Sequence, residues 1–228
     1  MNNIKSLIRN NYLLYSLFIN IYTILFGKNS PRQNKCHFIN KGYAFLKKDI
    51  IGKSNNIIIE EGTFIKKAYI KIRGDNNTIL IKKGSKIGTG CSFWIQGNNS
   101  KITIGENSSF TEKIHLNAGE DYSEITIGDN CMFSNSIIIR TSDDHPIYEI
   151  GTNKRINPAK SVIIGDHVWI CPQVTIMKGA KVGKGSIIGS CSIVTKNIPD
   201  NSLAVGYPAK VVKTKIQWNM HGAIKTTM

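Results

Sequence analysis

Toward the C-terminus of the chain, aliphatic residues recur at every sixth position. From Ile164 the sequence divides into six consecutive hexads, IGDHVW, ICPQVT, IMKGAK, VGKGSI, IGSCSI and VTKNIP, and every first position is Ile or Val. The second position is small in four of the six (Gly165, Cys171, Gly183 and Gly189), and the fifth holds Val168, Val174, Ala180, Ser186, Ser192 and the larger Ile198. A period of six with one fixed aliphatic residue matches neither a helix, at about 3.6, nor a simply alternating strand, at about 2. It predicts a triangular solenoid in which each hexad makes a short strand and a corner. The stacked first positions become an interior ladder that is buried only when neighbouring coils are present.

The same beat continues upstream in a looser form: IEEGTF at 59, IKKGSKIGTGCS at 81, IGENSSF at 104 and IGDNCMF at 127, with starts 22, 23 and 23 residues apart. Three hexads account for about 18 residues, so each upstream turn carries a few more. The polar segments GDNNT, GNNSK and GEDYSE are where these extra residues belong, because Asn, Gly and Asp tolerate the left-handed backbone that sharp corners need. From 127 to 164 the spacing rises to 37, one coil plus an insertion of about 19 residues. That insertion holds SDDHPI, residues 142–147, and with it His145.

Composition narrows the reading. The chain has 228 residues, 41% of them hydrophobic, enough for one domain with a sizeable core. Thirty Lys and Arg against fifteen Asp and Glu give a formal charge of +15, which favours polyanionic partners. The aromatic residues do not interleave with the basic ones as a stacking platform would, so nucleic acid ranks last among them. The five cysteines are scattered and never form CxxC, which argues against a disulfide framework or a zinc site and for a reducing cytosol. Cys91 and Cys131 fall on fifth positions and Cys171 on a second position, where a small apolar side chain is wanted.

In the run from DHPI through INPAKSVIIGDHVWICPQVTIMKGAKVGKGSIIGSCSIVTKNIPDNSLAVGYPAKVVK, hexad phase, the VW pair, VTKNIP and GYPAKVVK agree together. Here the chain resembles the hexapeptide-repeat acyltransferases, which include galactoside, maltose, xenobiotic and capsular polysaccharide O-acetyltransferases. The resemblance implies an all-β, left-handed parallel β-helix with an N-terminal helical segment and a long catalytic loop insertion. On this reading residues 1–55 form a helical capping segment, 56–214 the acetyltransferase β-helix with its loop at about 140–162, and 215–228 a tail. It further implies a homotrimer with acetyl-CoA as co-substrate, no required metal, and active sites between subunits.

The chemistry attaches to particular residues. A sugar hydroxyl is a poor nucleophile near neutral pH, so a positioned base must take its proton during attack on a thioester; an imidazole titrating near ~6.5 can do this and then protonate the departing thiolate. The resemblance places that base on His145. Asp143, Asp144 and Glu149 are the nearby carboxylates that could orient its ring, and a backbone carbonyl would serve as well. Trp169, at an outward sixth position, is expected to line the cofactor and acceptor groove, with interface packing as the alternative. The family's cofactor contacts fall on Pro172, Ser190, Thr195, Lys196, Lys210 and Lys213: small residues first, phosphate-meeting lysines last. Its acceptor contacts fall approximately on Asn117 and Asp121, whereas His115 and His167 read as surface-corner residues.

Residues 10–27, NNYLLYSLFINIYTILFG, are uncharged and flanked by Arg9 and Lys28. They read either as an interfacial helix resting on an anionic membrane face or as a helix capping the first coil. The expected function is acetyl transfer from acetyl-CoA to a sugar hydroxyl of a bacterial capsule, lipopolysaccharide or other surface glycan, with the positive charge favouring an acidic polysaccharide, in the cytoplasm at or near the inner membrane face. The alternatives are N-acetylation of an amino-sugar nucleotide, drug acetylation, and a non-enzymatic β-helical scaffold.

Overall fold

The computed structural model describes residue 17 and residues 36–220. The segment 10–27 and its expected capping or membrane role otherwise lie outside the described residues. Among the described residues, no helix is long and apolar enough to cross a membrane.

The chain winds into stacked parallel coils. The first holds β1 (His37–Asn40) and β2 (Tyr43–Ile51), the second β3 (Asn56–Ile59) and β4 (Phe64–Arg73), and the third β5 (Thr78–Ile81) and β6 (Lys86–Gln96). The fourth holds β7 (Lys101–Ile104), β8 (Ser109–Glu112) and β9 (His115–Gly119), and the fifth β10 (Glu124–Ile127), β11 (Met132–Asn135) and β12 (Ile138–Arg140). After the insertion come β13 (Val162–Ile164), β14 (Trp169–Ile170) and β15 (Thr175–Ile176), then β16 (Lys181–Val182), β17 (Ile187–Ile188) and β18 (Ile193–Val194). A last turn ends in the antiparallel pair β19 (Leu203–Gly206) and β20 (Ala209–Lys213).

Three faces result. The first is the sheet β1-β3-β5-β7-β10-β13-β16. In coils one to three a single long strand bends around a corner, so β2, β4 and β6 each supply both other faces. Beyond them the second face continues through β8, β11, β14, β17 and β19, and the third through β9, β12, β15 and β18. The six-residue period explains the ladder: Ile59, Ile81, Ile104, Ile127, Ile164 and Val182 are in register and all buried. Each such side chain contributes about 1.5–3 kcal/mol only while the next coil covers it, so the coils depend on one another.

The corners behave as their composition predicts. Asn76, Asn99 and Tyr122 take positive φ at 58°, 55° and 54°, all within the three polar segments expected to turn. Gly97, at φ 153°, leaves no room for a side chain: a Cβ there would lie 2.4 Å from the Glu120 carbonyl carbon of the next coil. Buried small polar residues complete the corner backbone, since Ser85, Ser108 and Ser186 donate to carbonyls one coil on. Cys131 replaces such a serine, and burial pushes its thiol up to about 12.

One boundary differs from expectation. The β-helix begins at His37, not at 56: its first coil escapes the periodic reading because an inner position there is Lys48, whose ammonium lies 3.7 Å from the centre of the Phe38 ring. At the other end, residues 214–220 climb back over the second face. Trp218 stacks on His167 at 4.1 Å, reaching the sixth coil.

Candidate active site

The insertion folds as an arm at the corner between the third and first faces. Its ends close on each other, Lys160 N donating to Thr141 O at 2.9 Å and Gly179 N to Lys160 O at 3.1 Å. Between them the chain doubles back through a Tyr148–Arg155 antiparallel bridge, with Ile156 N donating to Ile147 O and Glu149 N to Lys154 O.

Three fastenings fix the root of this arm. The buried Asn157 donates from Nδ2 to the His145 carbonyl and to Asp143 Oδ2, both at 2.9 Å, while its Oδ1 accepts from Ile147 N at 2.6 Å. Lys178, one coil on, donates to Asp143 Oδ2 at 2.5 Å and to Asn157 O at 3.0 Å. Its hydrogen bond holds the Asp143 carboxyl below the usual carboxylate range. Glu120, at the corner one coil back, takes both guanidinium nitrogens of Arg155 at 2.8 and 2.6 Å and the hydroxyl of Ser142 at 2.6 Å, and this holds its pKa down at about 2.

His145 therefore has its backbone clamped on both sides while its ring is exposed and makes no hydrogen bond within the described residues. Asp144, at φ 66°, turns the chain just before it. None of the three carboxylates considered as orienters reaches the imidazole: Asp143 faces Lys178, Asp144 pairs with Arg140, and Glu149 takes the Thr152 hydroxyl. Their work within this chain is to hold the arm.

Beside the arm, the outward positions of the third face form a column. His115, expected at a corner, stands instead on this face as the first residue of β9, where its Nδ1 meets Ser92 Oγ at 2.8 Å and its ring lies edge-on to Trp94 at 4.8 Å. Burial, and then the charge of Arg140, lower its pKa. Asn117 is buried, with Nδ2 3.5 Å from Asp144 Oδ1 and Oδ1 without a partner. The common register of Ser92, His115 and Ile138 was readable from the 23-residue coil spacing. Asp121 is differently engaged: its carboxylate takes the backbone and side-chain amides of Asn98, one rung of a corner ladder in which Asn98 serves Asp75 and Asp75 serves Lys53.

The expected cofactor residues divide between two edges. Pro172 and Ser190 stack at the corner joining the second and third faces, where Cys191 N donates to Pro172 O at 3.0 Å. Trp169 lies on the second face at the same level, its ring 5.9 Å from Trp218 and its Nε1 without a partner. Lys210 and Lys213 follow on β20, exposed. Thr195 and Lys196 sit at the opposite corner, below the His145 arm and Lys178. His167 is drawn into the stack with Trp218, whose Nε1 donates to the His167 carbonyl at 2.9 Å.

Comparison with known proteins agrees with this architecture. A family profile described as "Bacterial transferase hexapeptide (six repeats)" matches residues 161–196. The polysialic acid O-acetyltransferase of Escherichia coli O1:K1 / APEC is 41% identical over 154 residues, 65% of this chain, and the chain spans only 42% of that curated relative's length. Among solved structures, the polySia specific acetyltransferase NeuO is 35% identical with a TM-score of 0.77, covering 87% of this chain and 83% of its own. The polysialic acid O-acetyltransferase OatWY is 27% identical with a TM-score of 0.57, covering 86% and 93%.

Proposed function

The chain belongs to the hexapeptide-repeat acyltransferases, whose β-helix is left-handed, and from that premise we propose that it transfers an acetyl group from acetyl-CoA to a hydroxyl of an acidic surface glycan. The observation that carries this reading is the His145 arm. Its backbone is clamped by Asn157, Lys178 and the Glu120–Arg155 pair, yet it presents a free imidazole beside a polar, partly orphaned face. A scaffold has no use for such a device. The polysialic acid named for two relatives supports an acidic acceptor, and so does the charge of +15.

The thioester supplies an acyl group activated for attack. His145 takes the proton of the acceptor hydroxyl as the new C–O bond forms, and delivers it to the thiolate sulfur as the C–S bond breaks. Pro172 and Ser190 offer a small-residue wall, with Trp169 beside it and the lysines 210 and 213 placed for phosphates. The oxyanion needs a donor, and a backbone amide near Trp169 or Pro172 is the fitting source, although Pro172 itself has no amide hydrogen to offer.

Thr195 and Lys196 share a corner with the His145 arm, whereas Pro172 and Ser190 occupy the other edge of the third face. A groove formed by two copies brings one chain's arm to its neighbour's wall, as a homotrimer requires. The arm also carries exposed Ile147, Tyr148, Ile150 and Ile156, apolar surface that a second copy would cover. Contact of residues 10–27 with the inner membrane face would place the enzyme where surface glycans are assembled.

Thiol release from acetyl-CoA tests this against acidic glycans, neutral glycans and an amino-sugar nucleotide. Release that requires the acidic glycan supports it; release with the amino-sugar nucleotide alone overturns it.

A further inference from the structure

The third face continues beyond His115 and Asn117 toward the N-terminal coils, and its outward residues have a consistent chemistry. Asn117 is in register with Trp94, Trp94 with Lys71, and Lys71 with Asp49, while Lys47 pairs with Tyr69 in the adjacent column. Both aromatic rings carry a cation: Lys71 Nζ lies 4.3 Å from the Trp94 ring centre and Lys47 Nζ 5.4 Å from that of Tyr69. The remaining cation–ring pair among the described residues is the inward Lys48 on Phe38, so this outward arrangement belongs to the third face alone.

Charge is balanced at both ends and unbalanced in between. Arg73 is answered by Asp49 at 2.7 Å, and Arg140 by Asp144. Lys47 and Lys71 make no close ion pair among the described residues; Lys71 acts on Asp49 only at longer range, that carboxylate being taken by Arg73. Trp94 Nε1 and Asn117 Oδ1 are buried without hydrogen bonds, two polar atoms whose desolvation nothing in this chain repays. A ring beneath an ammonium holds it in place without neutralising it, which leaves it ready for an anion.

We propose that this face is an extended acceptor track, running from the His145 arm over Asn117 and Trp94 to Lys71 and Lys47, which binds a linear glycan carrying a carboxylate on successive residues. The rungs repeat at the strand spacing of about 4.8 Å, so a linear polymer lying along the axis meets one outward residue of this column per coil, Asn117, Trp94 and Lys71 in turn. The chain end or internal residue over Asn117 is presented to His145, and the residues beyond it are held by the lysines. Affinity then grows with acceptor length and falls with salt. This inference rests on the acidic-glycan reading above.

The test compares a sialic acid disaccharide with long polysialic acid as acceptors for the full-length protein and for Lys47→Gln/Lys71→Gln. The expected result is that the wild type favours the polymer in kcat/KM. The double variant should lose about tenfold of that advantage through KM, with a shallower salt dependence. Lys101→Gln, on the first face, should keep the advantage. If the wild type acetylates the disaccharide and polymer equally, or the double variant retains the full polymer advantage, the track is refuted while the transferase reading stands. If no acidic glycan is acetylated, both fail.

Discussion

Asn157→Ala is the sharpest perturbation of the arm. The side chain is 7% exposed and joins three groups, the His145 carbonyl, the Ile147 amide and the Asp143 carboxylate, at 2.9, 2.6 and 2.9 Å. A net hydrogen bond is worth about 0.5–1.5 kcal/mol, so truncation removes about 2–4 kcal/mol from the clamped arm. Water reaches much of the surrounding loop and restores part of this, leaving about 2 kcal/mol, or roughly thirtyfold in the population of the clamped state. The expected outcome is a kcat/KM about thirtyfold below wild type with little change in thermal midpoint, because the coils bury their ladder independently of the arm. The assay is thiol release under saturating acetyl-CoA, repeated in a His145→Ala background. If Asn157 acts by placing His145, its loss costs almost nothing further there. Full activity in Asn157→Ala, or an undiminished penalty in the double variant, refutes the positioning argument.

Three further outcomes follow from the same structure. His145→Ala and Ser190→Trp, each inactive alone, should recover activity when their subunits are mixed, as a groove shared between copies demands; no recovery would confine the site to one chain. Arg155→Met should remove the stabilisation that the ionised Glu120 contributes near neutral pH. Because the folded pKa is depressed from 4.5 to about 2, the stabilisation is whole above pH 4.5 and fades as pH falls toward 2, so wild type and variant should converge in thermal midpoint at the acid end. Trp218→Ala should uncover His167 and Trp169, lowering stability by about 3 kcal/mol and shifting the intrinsic fluorescence of Trp169.

The regular parts of this molecule were legible because one physical demand repeats. An aliphatic residue every sixth position can be satisfied only by stacked coils, and Ile164, Ile170 and Ile176 are buried as the pattern requires. The polar segments turned corners for the same local reason. What resisted reading was whatever depends on distant partners. Lys48 breaks the ladder and hid the first coil, since a lysine at an inner position, its ammonium held over the Phe38 ring, does not fit the aliphatic pattern. Asp121 looked available for substrate, but its role is set by Asn98, 23 residues away. The arm was visible as an interruption, whereas Asn157, Lys178 and Glu120 as its fastenings were not. Their partners lie 10 to 35 residues off, and no local pattern marks them. His115 fell between, since the 23-residue register that aligns it with Ser92 was already in hand.

The central claim is that His145, held by its clamped arm, is the base for acetyl transfer to an acidic glycan. The most direct measurement is the rate of polysialic acid O-acetylation by wild type and His145→Ala at equal coenzyme A affinity, determined on the same preparations. The account predicts a loss of about 10²- to 10⁴-fold in kcat with coenzyme A binding intact. Comparable rates in the two proteins would contradict it.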